Sequence, residues 1–179
     1  GVNGTASNQF NFPTRLFLAD PFVFVLDRQN NRISIWDRDT LTHVRNYGSG
    51  GSGAGQFALP YGLGKDPNAN RFAVADSANH RIQVFTFDPL TGEISFERQF
   101  GSYGSGAGQF NNPRDVAIGP LGRFYVADKD NHRVQVFDPN GAHLFSFGAW
   151  GTANGQMKSP QGITVDADGI IYVADTDNN

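Results

Sequence analysis

The chain lacks cysteine and long apolar segments, and these two absences set the first limits on its function. Without cysteine it has no disulfide framework and no thiolate metal site. No run approaches the roughly 20 apolar residues that span a bilayer, so the sequence predicts no transmembrane helix. Charged residues are also few, at 17% of the chain, and the net charge of −3 gives no overall attraction to nucleic acid. This net charge is nevertheless compatible with a local basic face.

Glycine and phenylalanine are abundant, and they occur in a repeated pattern. The 22 glycines and 16 phenylalanines lie in short apolar runs separated by turn residues, which is typical of an all-β protein. One block recurs four times, as LDRQNNRISIW (26–36), ADSANHRIQVF (75–85), ADKDNHRVQVF (127–137) and ADTDNN (174–179). A second marker, a glutamine followed four residues later by proline, recurs with it at Pro13, Pro60, Pro113 and Pro160. A period near fifty residues indicates stacked supersecondary units.

The third repeat shows what one unit contains. Apolar or alternating segments separated by turn signals predict four short antiparallel strands at 116–119, 123–127, 133–137 and 143–147. Four-stranded sheets repeated around an axis describe a β-propeller. The first strand carries small residues, as in Leu63-Gly64, and is predicted to be innermost. The fourth is bulkier and is predicted at the rim, where His43 and His143 are expected at the surface.

The repeats predict a single propeller domain over residues 1–179. Its units are about 9–55, 56–108, 109–155 and a truncated 156–179, which make about three and a half blades. A segment that begins and ends within a blade is expected to belong to a longer chain. A six-bladed ring at this period needs on the order of 280 to 300 residues. The open blade edges are also expected to permit association with other chains.

The same landmarks resemble NHL repeats over nearly the whole chain. They are Gly-Gln-Phe-x-x-Pro, a strand ending in Val-Ala-Asp, then Asn-His-Arg-Ile-Gln-Val-Phe, and an aromatic strand ending in Phe-Gly. The resemblance implies a propeller, most often six-bladed, that acts mainly as an interaction module. Some members bind RNA hairpins or protein partners on one face, and many prokaryotic members are exported, which favours an extracytoplasmic location here. A related branch, the peptidyl-hydroxyglycine lyases, holds zinc with histidines in the central channel.

His80 and His132 occupy the same turn in two repeats. We interpret them as part of the repeat structure, with Asp76 capping the turn and Asn79 accepting a tight backbone. Residues that recur in every unit usually serve the unit itself. Metal ligands for one central site would instead converge on the axis.

The lyase alternative can be tested at the position after each repeat proline, near which the resembling enzymes carry their zinc-binding histidines. The residues at these positions are Thr14, Tyr61, Arg114 and Gln161, and none of them is a usual zinc ligand. We therefore predict no enzyme activity, metal or cofactor, unless blades outside this segment supply histidines. The Asp-x-x-Asn turns lack the dense oxygen ligands of a calcium loop. The glycine-rich connectors at 48–55 and 101–108 are interpreted as flexible links and not as phosphate loops.

Candidate binding residues lie on the loop-built face where the inner strands begin. They are Arg15, Tyr61, Arg114, Asp115 and Gln161, with Arg28 and Lys129 in the adjoining hairpin turns. Exposed Arg and Tyr on such a face are good interaction anchors. The alternative is that Arg15 and Arg114 only pair with nearby carboxylates such as Asp115. We predict a non-enzymatic module for a protein or glycan partner. RNA is the alternative, disfavoured by the net charge because phosphate recognition normally needs clustered Lys and Arg.

Overall fold

The computed structural model describes residues 3–178. Each of the first three repeats forms a four-stranded antiparallel sheet whose strands lie side by side in chain order. Blade 1 contains β1 (Pro13–Ala19), β2 (Phe22–Asp27), β3 (Arg32–Asp37) and β4 (His43–Tyr47). A connector with a short parallel pair, β5 (Ser49–Gly50) and β6 (Gln56–Phe57), leads to the next blade.

Blades 2 and 3 repeat this order, and blade 4 contributes two strands. Blade 2 contains β7 (Gly62–Lys65), β8 (Arg71–Asp76), β9 (Arg81–Phe87) and β10 (Ile94–Phe100). Blade 3 contains β11 (Pro113–Ile118), β12 (Phe124–Asp128), β13 (Arg133–Phe137) and β14 (His143–Phe147). Blade 4 contributes β15 (Pro160–Val165) and β16 (Ile171–Asp175). The helices of the described residues are three 3-10 turns, at Arg28–Asn30, Ser77–Asn79 and Lys129–Asn131, and none is long and apolar enough to cross a membrane.

The strand boundaries in blade 3 agree with the sequence pattern for the two outer strands, and the second strand, Phe124–Asp128, lies one residue later than predicted. The third and fourth strands of blade 3 have the predicted bounds. The first begins earlier than predicted, because Pro113 already pairs with Asp128 before a bulge that precedes Asp115. Proline is tolerated at the first residue of a strand, since the missing N–H is not needed there.

The hydrophobic core lies between blades. One buried cluster joins Phe17 and Phe24 of blade 1 to Phe72 of blade 2, and two similar clusters join blade 2 to blade 3 and blade 3 to blade 4. Each sheet therefore buries its apolar face only by stacking on its neighbour, as expected of a repeat architecture. The prediction of an all-β propeller is confirmed.

The inner strands β7, β11 and β15 are crowded at the axis and border an open channel of about 960 Å³. A side chain on Gly64 would overlap the backbone carbonyl of Val116, and one on Gly62 would overlap the backbone of Asp115. These glycines allow two strands to approach closely, which confirms the predicted placement of the small-residue strand.

The connectors are folded loops. Arg81 donates to the backbone oxygens of Ser52 at 2.6 Å and Gly53 at 2.8 Å, and Gln83 accepts from the Gly55 N–H at 3.0 Å. Gly51 has φ +151°, and a Cβ there would overlap the Gln56 side chain. The connector at 48–55, which the sequence indicated as a flexible link, is therefore a folded loop that side chains of the next blade hydrogen-bond.

Candidate binding face

The upper face is defined here as the side on which the inner strands begin and the turns between second and third strands lie. A buried carboxylate organises each of these turns. Asp76 accepts hydrogen bonds from the Ala58 backbone at 2.7 Å, Asn79 at 2.9 Å, Arg81 at 2.8 Å and Gln83 at 3.1 Å. It does not cap the 3-10 turn, which corrects the prediction. Asp128 has the equivalent four bonds. The Asp-x-x-Asn motif is thus saturated by protein donors.

The turn histidines link neighbouring blades. His80 has φ +54°, so it is the histidine, and not Asn79 as predicted, that takes the tight left-handed backbone. Its Nδ1 accepts from the backbone N–H of Asn112 at 3.1 Å, and His132 Nδ1 accepts from Ser159 at 3.1 Å. Both rings therefore have a structural role between one blade and the next.

The other two histidines begin the fourth strands, as predicted, but they are half-buried and not fully at the surface. His43 packs edge-on against Trp36 and bonds Asn46 at 3.1 Å. His143 bonds Ser146 at 2.8 Å. Bulky neighbours on the same sheet cover these rings and cause the difference.

Arg15 and Asp115 pair across the axis. Arg15 Nη2 lies 2.8 Å from Asp115 Oδ2, and that carboxylate also accepts from the backbone N–H groups of Ile163 and Val116, both at 3.1 Å. Burial raises the pKa of Asp115, and the hydrogen bond from Arg15 offsets part of this effect. Arg15 thus pairs with a nearby carboxylate, which is the alternative that the sequence analysis gave for it.

Arg114 behaves differently, because it stacks on an aromatic ring. Its guanidinium carbon lies 3.8 Å from the centroid of the Tyr61 ring, and that of Arg28 lies 5.6 Å from the same centroid. Among residues 3–178, Arg114 forms no ion pair, so the pairing alternative is wrong for it. The structure thus brings together three of the predicted binding residues, from three different blades. We call this group of Arg28, Tyr61 and Arg114 the Tyr61 stack.

The two remaining predicted residues stand apart from this group. Lys129 Nζ lies 2.6 Å from Asp130 Oδ1, so its charge is already engaged. Gln161, the second residue of β15, is half-buried at the position that Arg114 occupies in β11. The structure assigns neither of them to the Tyr61 stack.

Comparison with known proteins identifies the repeat. The family model described as "NHL repeat" matches residues 57–85, 110–137 and 157–179. The chain contains matches to the NHL repeat at these three positions. It is 32% identical over 103 residues to the B-box type zinc finger protein ncl-1 of Caenorhabditis elegans, a match that covers 53% of this chain and 12% of that protein.

Solved structures show the same fold at low identity. An auxiliary nutrient binding protein from Bacteroides ovatus is similar with a TM-score of 0.70 and 16% identity, over 95% of this NHL chain and 47% of that one. A virginiamycin B lyase from Staphylococcus aureus is similar with a TM-score of 0.64 and 18% identity, over 91% and 48%. The NHL segment thus spans less than half of each, and the likeness shows the fold alone.

The upper face of this NHL segment also exposes aromatic side chains that sequence reasoning missed. Tyr103 is 68% exposed and lies edge-on to His80, with ring centroids 4.8 Å apart. Trp150 is 67% exposed, and Lys158 Nζ lies 5.7 Å from its ring. The sequence signal that could have identified both residues is a bulky aromatic at the third position of a connector that otherwise consists mainly of small residues.

The charges divide between the two faces of the NHL segment. The opposite, lower face is formed by the other two sets of turns, and these turns carry eight acidic residues against two basic ones. The repeated aspartates Asp27, Asp76, Asp128 and Asp175, with their partners Arg32, Arg81 and Arg133, are left out of the count for the upper face. The rest of that face carries five basic residues, Arg15, Arg28, Arg114, Lys129 and Lys158, against three acidic ones, Asp115, Asp130 and Asp177. The net charge of −3 therefore does not describe the upper face. No cluster of three or more potential metal ligands occurs among residues 3–178.

Proposed function

We propose that this NHL segment is a non-enzymatic binding module whose upper face takes a protein or glycan partner. The observation that carries the proposal is that the exposed Tyr103 and Trp150 share this face with the Tyr61 stack. Aromatic residues and arginine are enriched in binding hot spots. The strongly acidic lower face offers no comparable combination in its turns.

The exposed aromatics are not required by the fold. Tyr103 and Trp150 occupy the position held by Asn3 and Gly50 in the other connectors, which form the same parallel bridge. Since the loop folds equally with asparagine or glycine there, the rings are free to serve a partner. Conspicuous exposed side chains on loops over a rigid scaffold are a common arrangement for binding.

An enzymatic role has less support. The similarity to a lyase is at 18% identity and concerns the fold, and fold alone does not imply function. Tyr61 and Arg114, at two of the positions that would be expected to hold metal ligands, stack on each other instead. Metal analysis of purified protein that finds a full equivalent of zinc would overturn the non-enzymatic assignment.

RNA is a second candidate, and the charge division favours it. The upper face has an excess of basic residues together with exposed rings, and single-stranded nucleic acids bind to surfaces that combine cations with stacking platforms. The net charge of −3 therefore counts less against RNA binding than it does when the sequence is considered alone. Binding that falls steeply with salt would support this candidate.

The test screens the full chain against phage-displayed random peptides, a glycan array and single-stranded RNA oligonucleotides. The variant Tyr103→Ser/Trp150→Ser removes the upper-face rings. The control Leu90→Ser/Leu121→Ser removes apolar side chains of similar exposure (84% and 74%) from the lower face. We expect peptide or glycan binding that the first variant loses and the control keeps. Binding lost only in the control, or found in none of the three arms, would overturn the proposal.

A further inference from the structure

The Tyr61 stack places two arginines beside each other without an acidic partner. Arg114 and Arg28 both lie over the Tyr61 ring, and Arg28 also lies 5.6 Å from the Phe12 ring. The Nε atoms of both arginines are buried and have no hydrogen-bond partner within residues 3–178. A buried donor without a partner is rare in proteins and calls for an explanation.

These two arginines are exceptions on the upper face. Arg32, Arg81 and Arg133 each bond the buried aspartate of their own repeat at 2.8 Å, and Arg15 bonds Asp115 at the same distance. Structural arginines in this protein are thus consistently paired with carboxylates. A guanidinium that is held by stacking and lacks such a carboxylate is preorganised to receive one.

The electrostatics of the stack favour an incoming anion. Burial lowers the pKa of Arg114, and the charge of Arg28 adds to this lowering, while Tyr61 and Asp130 oppose part of it. Asp130, the acidic residue whose charge acts on Arg114, is already engaged by Lys129 at 2.6 Å and by Asn112 at 3.1 Å. An added carboxylate would counteract the effect of Arg28 and could form charge-assisted hydrogen bonds with the guanidinium groups.

We propose that the Arg28–Tyr61–Arg114 stack is an anchor for a carboxylate in an acidic segment of a protein partner. The inference rests on the proposed binding role of the upper face and names the chemistry recognised there. A protein segment fits better than an RNA backbone, because phosphate tracking needs a run of free cations. Here the adjoining cations Lys129 and Arg15 are already paired, and the exposed Phe12 offers an apolar contact beside Arg28.

The test selects phage-displayed random peptides on the full chain and then measures the affinity of the best clones for variants. Arg28→Met and Arg114→Met remove one charge each while keeping an apolar stem. Arg45→Met and Arg123→Met remove exposed arginines away from the upper face and serve as matched controls. Tyr61→Phe keeps the ring and is expected to keep binding. Thermal melting of each variant separates loss of binding from loss of fold.

We expect enriched peptides that share Asp or Glu, with Kd weakened about 10- to 100-fold by either stack variant and unchanged by the controls. Replacing the shared acid by its amide should cause a similar loss. If peptides bind without acidic preference, or bind the stack variants equally well, the anchor is wrong while the upper-face proposal stands. If no peptide binds, the anchor falls and the protein arm of the proposed function falls with it. If oligouridylate binds and depends on both arginines while peptides do not, the stack recognises phosphate and the inference is overturned.

Discussion

Arg15 and Asp115 are 100 residues apart in the chain and form an ion pair of 2.8 Å across the axis between blades 1 and 3. The pair is asymmetric, since the side chain of Asp115 is 5% exposed and that of Arg15 is 39% exposed. The aspartate therefore bears most of the desolvation, and the arginine compensates for it from the channel side.

Removing Arg15 should cost more stability than neutralising Asp115. Arg15→Met leaves a buried carboxylate without its cation, and we expect a loss of about 1 to 3 kcal/mol in the free energy of unfolding. Asp115→Asn keeps an acceptor oxygen for only one of the two backbone N–H groups, since Ile163 bonds Oδ2 and Val116 bonds Oδ1, but it leaves no buried charge and should cost less. Urea denaturation at neutral pH measures both, with Arg123→Met as control. A larger loss for Asp115→Asn would contradict this account.

The penalty of Arg15→Met should depend on pH. Burial raises the pKa of Asp115, so the folded chain takes up this proton more readily than the unfolded chain. Stability tied to this group therefore increases as the pH falls through the raised pKa. The difference between Arg15→Met and wild type should shrink between neutral pH and about pH 5. A penalty that grows on acidification would show that the sign is wrong.

Gly64→Ala should destabilise the propeller at its axis. The added methyl group would overlap the Val116 carbonyl, which belongs to a neighbouring inner strand and cannot turn away as a flexible side chain can. We expect a loss of about 1 to 3 kcal/mol by denaturant unfolding. Gly50→Ala, in an exposed connector with ordinary contacts at 3.6 Å, should change stability by less than about 0.5 kcal/mol. Equal effects of the two changes would argue against crowding at the axis.

Asp128→Ala should be among the most damaging single changes. It removes the acceptor for Arg133, Asn131, Gln135 and the Asn111 backbone, and it leaves the Arg133 charge without its carboxylate. We expect a loss of about 3 to 5 kcal/mol, whereas Asp168→Ala at an exposed turn should change little. Because these oxygens are saturated by protein donors, added calcium should leave the Tm unchanged. A clear rise in Tm with calcium would restore the metal interpretation of these turns.

His132→Asn should preserve the link between blades better than His132→Ala. In blade 1 the equivalent residue is Asn31, whose Oδ1 accepts from the Leu59 N–H at 2.8 Å, as His132 Nδ1 does from Ser159. Alanine leaves that N–H without an acceptor, so we expect a loss of about 0.5 to 1.5 kcal/mol that asparagine largely restores. Chemical denaturation of the two variants gives the comparison. The structural role would be refuted if asparagine were as damaging as alanine.

The sequence was sufficient to predict the fold because the same pattern of apolar and turn residues occurs in each repeat. The bounds of the two outer strands of blade 3, the crowded inner strand and the propeller class all follow from the spacing of apolar and turn residues. The blade number of the complete ring stays a prediction. The polar network was predicted only in outline, since the order of residues does not show that Asp76 reaches back to the Ala58 backbone.

The candidate site was predicted only in part for a related reason. Position in the repeat placed Arg28, Tyr61 and Arg114 on one face, but it did not show that they stack or that Arg15 pairs with Asp115 instead. Those contacts join different blades, and sequence spacing within a repeat carries little information about them. Tyr103 and Trp150 were missed because a glycine-rich connector was interpreted as a flexible link.

The most direct test of the account is hydrogen–deuterium exchange of the full chain, alone and with its partner or the best selected peptide. We predict slower exchange on the upper face, in segments 11–16, 58–63 and 111–116, which surround the Tyr61 stack. Protection confined to the lower-face turns at 38–42, 89–93 and 138–142 would contradict it, because the binding surface would then be the acidic face.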